Sequence, residues 1–149
     1  MNVLINIMKE MPNFELFIPN NVPSSKNGKQ IVFKKKVGSD GKVPIMIWSK
    51  AAKEYVKQTK AYYEEFSHTF RAEYDKYVSL GNLPMEVTFL FIRGTKHKFD
   101  YPNPLQTVLD LMVHYKWIPD DNADIILPIF EEYKYDKENP GVYIKFKGY

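Results

Sequence analysis

Cysteine is absent from this chain. Its absence excludes disulfides, thiolate zinc sites and a cysteine nucleophile, and it fits a reducing compartment. Histidine is scarce as well: His68, His97 and His114 share no metal-ligand spacing, so a zinc site is not expected. No apolar run is long enough to span a bilayer. The opening Met1-Asn-Val-Leu-Ile-Asn-Ile-Met8 is apolar but short. It has neither a basic lead nor a small-residue cleavage site, so it does not read as a signal peptide. It is either an added edge strand or a tail, which sets residues 1–13 apart from a domain over residues 14–149. The expectation is a cytoplasmic protein with no membrane contact.

What is present points to one folded domain. The 149 residues fit a single domain, and a hydrophobic share of 44% is enough for a real core rather than a disordered chain. Aromatics reach 15%, with 11 Tyr and 10 Phe. Most of these belong to packing, which leaves a minority free to stack on bases. The formal net charge of +3 says little alone, but its distribution says more: Lys26, Lys29, Lys34, Lys35, Lys36 and Lys42 crowd one early segment.

Residues 14–18 alternate and predict a strand, and 19–28 are dense in turn residues. Strands are expected at 30–33 and 44–48, separated by a basic loop from Lys34 to Lys42. Ser49 predicts an N-cap for a helix running to about Tyr77, with Ala52, Tyr55, Val56, Thr59, Tyr62, Tyr63, Phe66 and Phe70 as its packed stripe and Gly81-Asn82 as its stop. A strong strand follows at 85–92. Asn103 then predicts a cap, Pro104 the first helical position and Gln106 the third, with Leu105, Val108, Leu109 and Met112 facing inward. Closing strands are expected at 125–133 and 141–147. The fold class is α+β: a mixed β-sheet packed against two main helices.

The second helix is framed by acids. Asp100 precedes it, Asp110 lies within it one turn from Gln106, and Asp120, Asp121 and Asp124 follow it. Each has a local explanation, through the helix dipole or a Pro-Asp-Asp-Asn turn. Together they also suit a divalent cation acting on a phosphate, because Mg²⁺ takes oxygen ligands and often only one or two carboxylates.

The spacing carries a resemblance. Asp100, Asn103, Asp110, Met112, Trp117, Asp120 and Asp121 fall in register with a family core of Asp-x-Asp-Asn-x-x-Lys-x-x-x-Asp-x-(Leu or Met), then an aromatic residue, two positions and Asp-Asp. Phe17-Ile-Pro followed by Pro23-Ser-Ser-Lys26-Asn27, and Ile47-Trp-Ser49-Lys-Ala-Ala-Lys-Glu-Tyr55, match its earlier segments. Over residues 14–146 the chain resembles the RusA family of Holliday-junction resolvases, small homodimeric endonucleases common in phages and prophages. The resemblance implies a homodimer in a bacterial cytoplasm that cuts branched DNA, the four-way junction, by Mg²⁺- or Mn²⁺-dependent hydrolysis in DNA recombination, repair or phage DNA processing.

The resemblance implies that Asp100 and Asp121 hold the metal. The residues around them suggest the rest of the site: Asp124 as a further metal ligand, Asp110 and Asp120 in the catalytic set, and Asn103 and Gln106 in support. Lys26, Lys29, Lys34, Lys35, Lys36, Arg93, Lys96 and Lys98 are expected to contact DNA phosphates. Two positions depart from the family: its second Asp falls on Pro102 and its Lys on Gln106. A site rebuilt from neighbouring acids and amides, one that cuts slowly, and one that binds branched DNA without cutting are the three outcomes compatible with these departures. The first is favoured by the surplus of oxygen-bearing side chains. An unrelated α+β domain that binds a protein through its aromatic surface is the remaining reading.

Overall fold

The structure, a computed structural model, describes residues 13–24, 29–35 and 42–147. Residues 1–12, Lys26, Lys36 and the centre of the expected basic loop lie outside these residues. The elements run β1 (Asn13–Pro19), β2 (Lys29–Lys35), β3 (Lys42–Trp48), α1 (Lys50–Ser79), β4 (Met85–Arg93), α2 (Pro102–His114), β5 (Ile126–Phe130), β6 (Lys134–Tyr135) and β7 (Gly141–Lys147). The class is α+β, as the sequence predicts.

The main sheet has the order β1-β7-β4-β5. β7 is antiparallel to both β1 and β4, whereas β5 runs parallel to β4. A parallel neighbour cannot be reached by a tight turn, and α2 supplies the crossover from β4 to β5. The expected strand at 125–133 ends early, at Phe130, and a two-residue strand that the sequence does not predict follows at Lys134–Tyr135. β5 pairs with the first part of β4, β6 pairs with Ile92 and Arg93, and the chain leaves the ladder between them. β2 and β3 form a separate antiparallel hairpin that leads into α1.

Alternation decides which sheet face is covered. Leu16 and Ile18 of β1, Met85, Val87, Phe89 and Phe91 of β4, and Val142, Ile144 and Phe146 of β7 are buried in one cluster with residues of both helices. The residues between them, among them Glu15, Glu86 and Lys145, lie on the opposite face. Gly141 opens β7 where no other residue fits: a Cβ there would lie 2.5 Å from the Ile18 carbonyl oxygen and 2.6 Å from the Phe17 ring.

α1 begins as expected, with Ser49 Oγ accepting from the Ala52 N–H at 3.2 Å. It ends in a Schellman arrangement. Gly81 takes φ +67°. Its N–H donates to Val78 O, and the Asn82 N–H donates to Tyr77 O. Its buried stripe is Ala52, Tyr55, Thr59, Tyr63, Phe70, Glu73 and Tyr77. Tyr62, predicted to lie on that stripe, is exposed instead. One residue before Tyr63, it sits about 100° around the helix from the packed line. Thr59 is accommodated because its hydroxyl donates to Tyr55 O at 2.7 Å. The Tyr55 and Tyr63 hydroxyls meet at 3.0 Å in the core, where burial pushes both well above the ordinary tyrosine value. Among the described residues, no helix is long and apolar enough to cross a membrane.

Candidate active site

α2 starts two residues earlier than the sequence suggests. Its first residue is Pro102, and Tyr101 precedes it with helical dihedrals and no side-chain cap. Asn103 therefore lies inside the first turn rather than capping it. The reason is a shortage of orphan donors. Pro102 and Pro104 have no N–H, while the Asn103 and Leu105 N–H groups donate to Asp100 O and Tyr101 O. A capping side chain has nothing left to satisfy.

The segment entering α2 is held by rings. Tyr101 packs 4.9 Å from Phe130, Phe99 packs 4.9 Å from Tyr133, and the Tyr101 hydroxyl accepts from the Tyr133 N–H at 3.0 Å. Asp100 lies between these two anchored aromatics with an exposed side chain. Among the described residues its carboxylate makes no hydrogen bond.

The return from α2 is fixed by Trp117. It is fully buried beside Tyr63 and Phe70, at centroid distances of 5.6 and 5.1 Å, and its Nε1–H donates to Tyr63 O at 2.7 Å. Arg71 donates through Nε and Nη2 to the Lys116 carbonyl, where the chain turns with φ +62°. These contacts bring the post-helix segment back alongside α2.

At that point Gln106 joins two of the acids. Its Nε2 donates to Asp110 Oδ1 at 2.8 Å and to Asp121 Oδ2 at 3.0 Å. Asp110 is one helical turn away, but Asp121 comes from beyond the helix. Asp120, its neighbour, has a different task. Its Oδ1 accepts from the Asp121 N–H at 2.8 Å and its Oδ2 from Asn122 Nδ2 at 2.9 Å. The Asn122 side-chain oxygen in turn accepts from the Asp124 N–H at 3.0 Å. Asp120 and Asn122 thus build the turn that presents Asp121, and Asp124 joins it through its backbone N–H.

The Asn122 amide, followed by the Asp121 N–H, holds the Asp120 carboxyl below the usual carboxylate range. The folded value lies below the unfolded one of about 3.9, so the turn's contribution is fully present above that pH. It is lost as the pH falls through the lower folded value. The Asp121 amide proton shift, followed by NMR, is expected to titrate with a midpoint below 3.9. A midpoint at or above it would show that these hydrogen bonds are absent in solution.

The expected DNA-binding set also separates. Lys96 and Lys98 are exposed, with Lys96 Nζ 5.1 Å from the Tyr135 ring centre. Lys29, Lys34 and Lys35 lie on β2. Arg93 is corrected by its position. It is 8% exposed, its Nη1 donates to Val22 O at 2.7 Å, and its guanidinium lies 4.7 Å from the Phe99 ring centre. Position 93 continues the inward alternation of Met85, Val87, Phe89 and Phe91, which turns this cation into the protein. Burial draws its pKa below the ordinary arginine value. Arg93→Met is therefore expected to lower unfolding stability by about 1.5–3 kcal/mol and to leave DNA affinity and its salt dependence unchanged. A weakened salt dependence in the DNA titration would return Arg93 to the phosphate contacts.

Thr107 was not singled out by the sequence. Its hydroxyl donates to Pro23 O at 2.8 Å, which places the described end of the loop after β1 beside Gln106. No local pattern signals this pairing, because the two residues are 84 positions apart. Among the described residues, no group of three or more His, Cys, Asp or Glu side chains is placed to hold a metal ion. The arrangement is instead two carboxylates sharing one neutral amide. No family model matches the chain, and neither does any curated protein.

Proposed function

We propose that this protein is a metal-dependent, structure-selective DNA endonuclease of the RusA type, acting on four-way junctions as a homodimer. The observation that carries the reading is the Gln106 bridge between Asp110 and Asp121. It draws together three positions that the resemblance to the family's motif marks, across a span that local structure does not require.

The residues present suit a divalent cation. Mg²⁺ commonly takes one or two carboxylates and fills its remaining positions with water and phosphate oxygens, so the Asp110–Asp121 pair is sufficient as its protein share. Both side chains present carboxylate oxygens, the ligand type that Mg²⁺ prefers. Such a cation supplies the charge and polarisation that phosphodiester hydrolysis requires. Gln106, standing where the family has Lys, adds no charge; it orients both carboxylates. Asp120 and Asn122 support the site by shaping the turn. Asp100, held between Phe99 and Tyr101, lies at the entry to α2 and is the remaining acidic candidate. A two-fold dimer would present two such sites to the two equivalent strands of a junction.

The test is cleavage of a labelled four-way junction by the purified protein in Mg²⁺ or Mn²⁺, with EDTA as control. Paired symmetric nicks that require the cation are the expected result. Binding without nicks in either cation would leave the second reading, a RusA-like protein that holds branched DNA without cutting it. That reading draws its support from Pro102 and Gln106, which replace an acid and a base of the family's motif.

A further inference from the structure

The first three turns of α1 carry Lys50, Lys53, Lys57 and Lys60 against a single acid, Glu54. At 3.6 residues per turn the four lysines fall within an arc of about 80° and span about 15 Å of the helix axis. Lys60 is paired with Glu64 at 3.7 Å. Lys50, Lys53 and Lys57 are exposed and make no ion pair among the described residues. Glu54 does not serve them; its carboxylate accepts from Gln58 Nε2 at 3.0 Å.

This placement runs against the helix's own electrostatics. The first turn of α1 contains no acidic residue. The positive end of the helix dipole disfavours cations there, where Lys50 and Lys53 lie. A run of lysines at a helix start, with no carboxylate to offset it, breaks a local rule without a gain inside the protein. The gain is expected to come from an anionic partner.

The lysines also border a shallow groove between the two helices. Lys53 and Lys57 form one side, Val56 and Leu111 contribute apolar surface, and His114 at the end of α2 forms the other side. His114 is one helical turn beyond Asp110 on α2. At the other end, β3 leads directly into Lys50, and Lys29 pairs with Trp48 next to the helix start.

We infer that Lys50, Lys53 and Lys57, with His114, form a track for the phosphodiester backbone of a DNA arm, separate from the carboxylate site. Duplex DNA carries one negative charge per about 1.7 Å of axis, which matches closely spaced cations along a helix. Such contacts hold the backbone without reading bases, so the track should serve linear and branched DNA alike. The inference rests on the proposed DNA substrate but not on catalysis.

The experiment measures binding in EDTA by fluorescence anisotropy. It uses the full chain, a labelled four-way junction and a labelled linear duplex over a range of salt concentrations. For a Lys53→Gln/Lys57→Gln variant, the log–log salt slope is expected to fall by about 1.8 on both DNAs, with up to about a 60-fold loss of affinity at 0.1 M salt. A Lys53→Arg/Lys57→Arg variant is expected to retain the slope. Circular dichroism should be unchanged and melting should not fall, since both side chains are exposed. An unchanged slope and affinity in the glutamine variant would overturn the inference. So would loss of poly-glutamate or phosphatidylserine-vesicle binding in that variant with DNA binding intact, because the surface would then serve an acidic protein or a membrane. The outcomes also separate from the nuclease reading. A wild type that never nicks, with DNA binding that depends on these lysines, sinks the nuclease and keeps the track.

Discussion

Replacing Asp121 with Asn is expected to reduce metal-dependent nicking of a four-way junction at least about a hundredfold, while binding measured in EDTA stays near wild type. Asn keeps the size of the side chain and an oxygen able to accept from Gln106 Nε2, which lies 3.0 Å from Asp121 Oδ2. The turn is also preserved, because Asp120 and Asn122 build it and the Asp121 backbone N–H still donates to Asp120. What changes is charge: the pair falls from two carboxylates to one. A bound cation contributes several kcal/mol of charge stabilisation in such hydrolysis, and each 1.36 kcal/mol is a tenfold change in rate. The comparison to make is kcat/KM for nicking beside Kd for the uncut junction. Full-rate cleavage by the variant would remove Asp121 from the metal site and leave Asp100 and Asp110 to be tested in its place.

Trp117→Ala is expected to lower stability by about 3–5 kcal/mol, a large fraction of the roughly 5–15 kcal/mol typical of a domain. The indole is fully buried, packs against Tyr63 and Phe70, and closes a hydrogen bond to Tyr63 O at 2.7 Å. Truncation leaves a cavity between α1 and the return segment and removes a partner from that carbonyl. With a urea slope of about 1–3 kcal/mol per molar, the unfolding midpoint should fall by more than about 1 M. A shift below about 0.5 M would mean that the return segment is anchored elsewhere. Because Asp121 follows only four residues later, the same variant should weaken the Gln106 bridge even where the protein remains folded.

Local chemistry was legible in the sequence. Alternation placed β1, β4 read as a strong strand, and β7 matches its expected bounds. Ser49 capped α1, and Gly81-Asn82 stopped it, because caps and left-handed turns depend on neighbours a few residues away. The α+β class followed from these elements. The register of Asp100, Asp110, Trp117 and Asp121 was visible as spacing alone.

The tertiary structure decided what spacing cannot. Two adjacent aspartates of identical type received different tasks: Asp120 is taken up by its own turn, and Asp121 reaches Gln106. Arg93 looked like part of a basic loop, but the inward alternation of β4 buried it. The prolines at 102 and 104 removed the donors that a cap at Asn103 would have served. The parallel pairing of β4 with β5 depended on α2 as a crossover. Turn and cap hydrogen bonds act over about two to four residues, so residue types disclose them. The Gln106–Asp121 contact spans 15 residues, and it forms because burial of Trp117 and the Arg71–Lys116 contact bring the chain back beside α2.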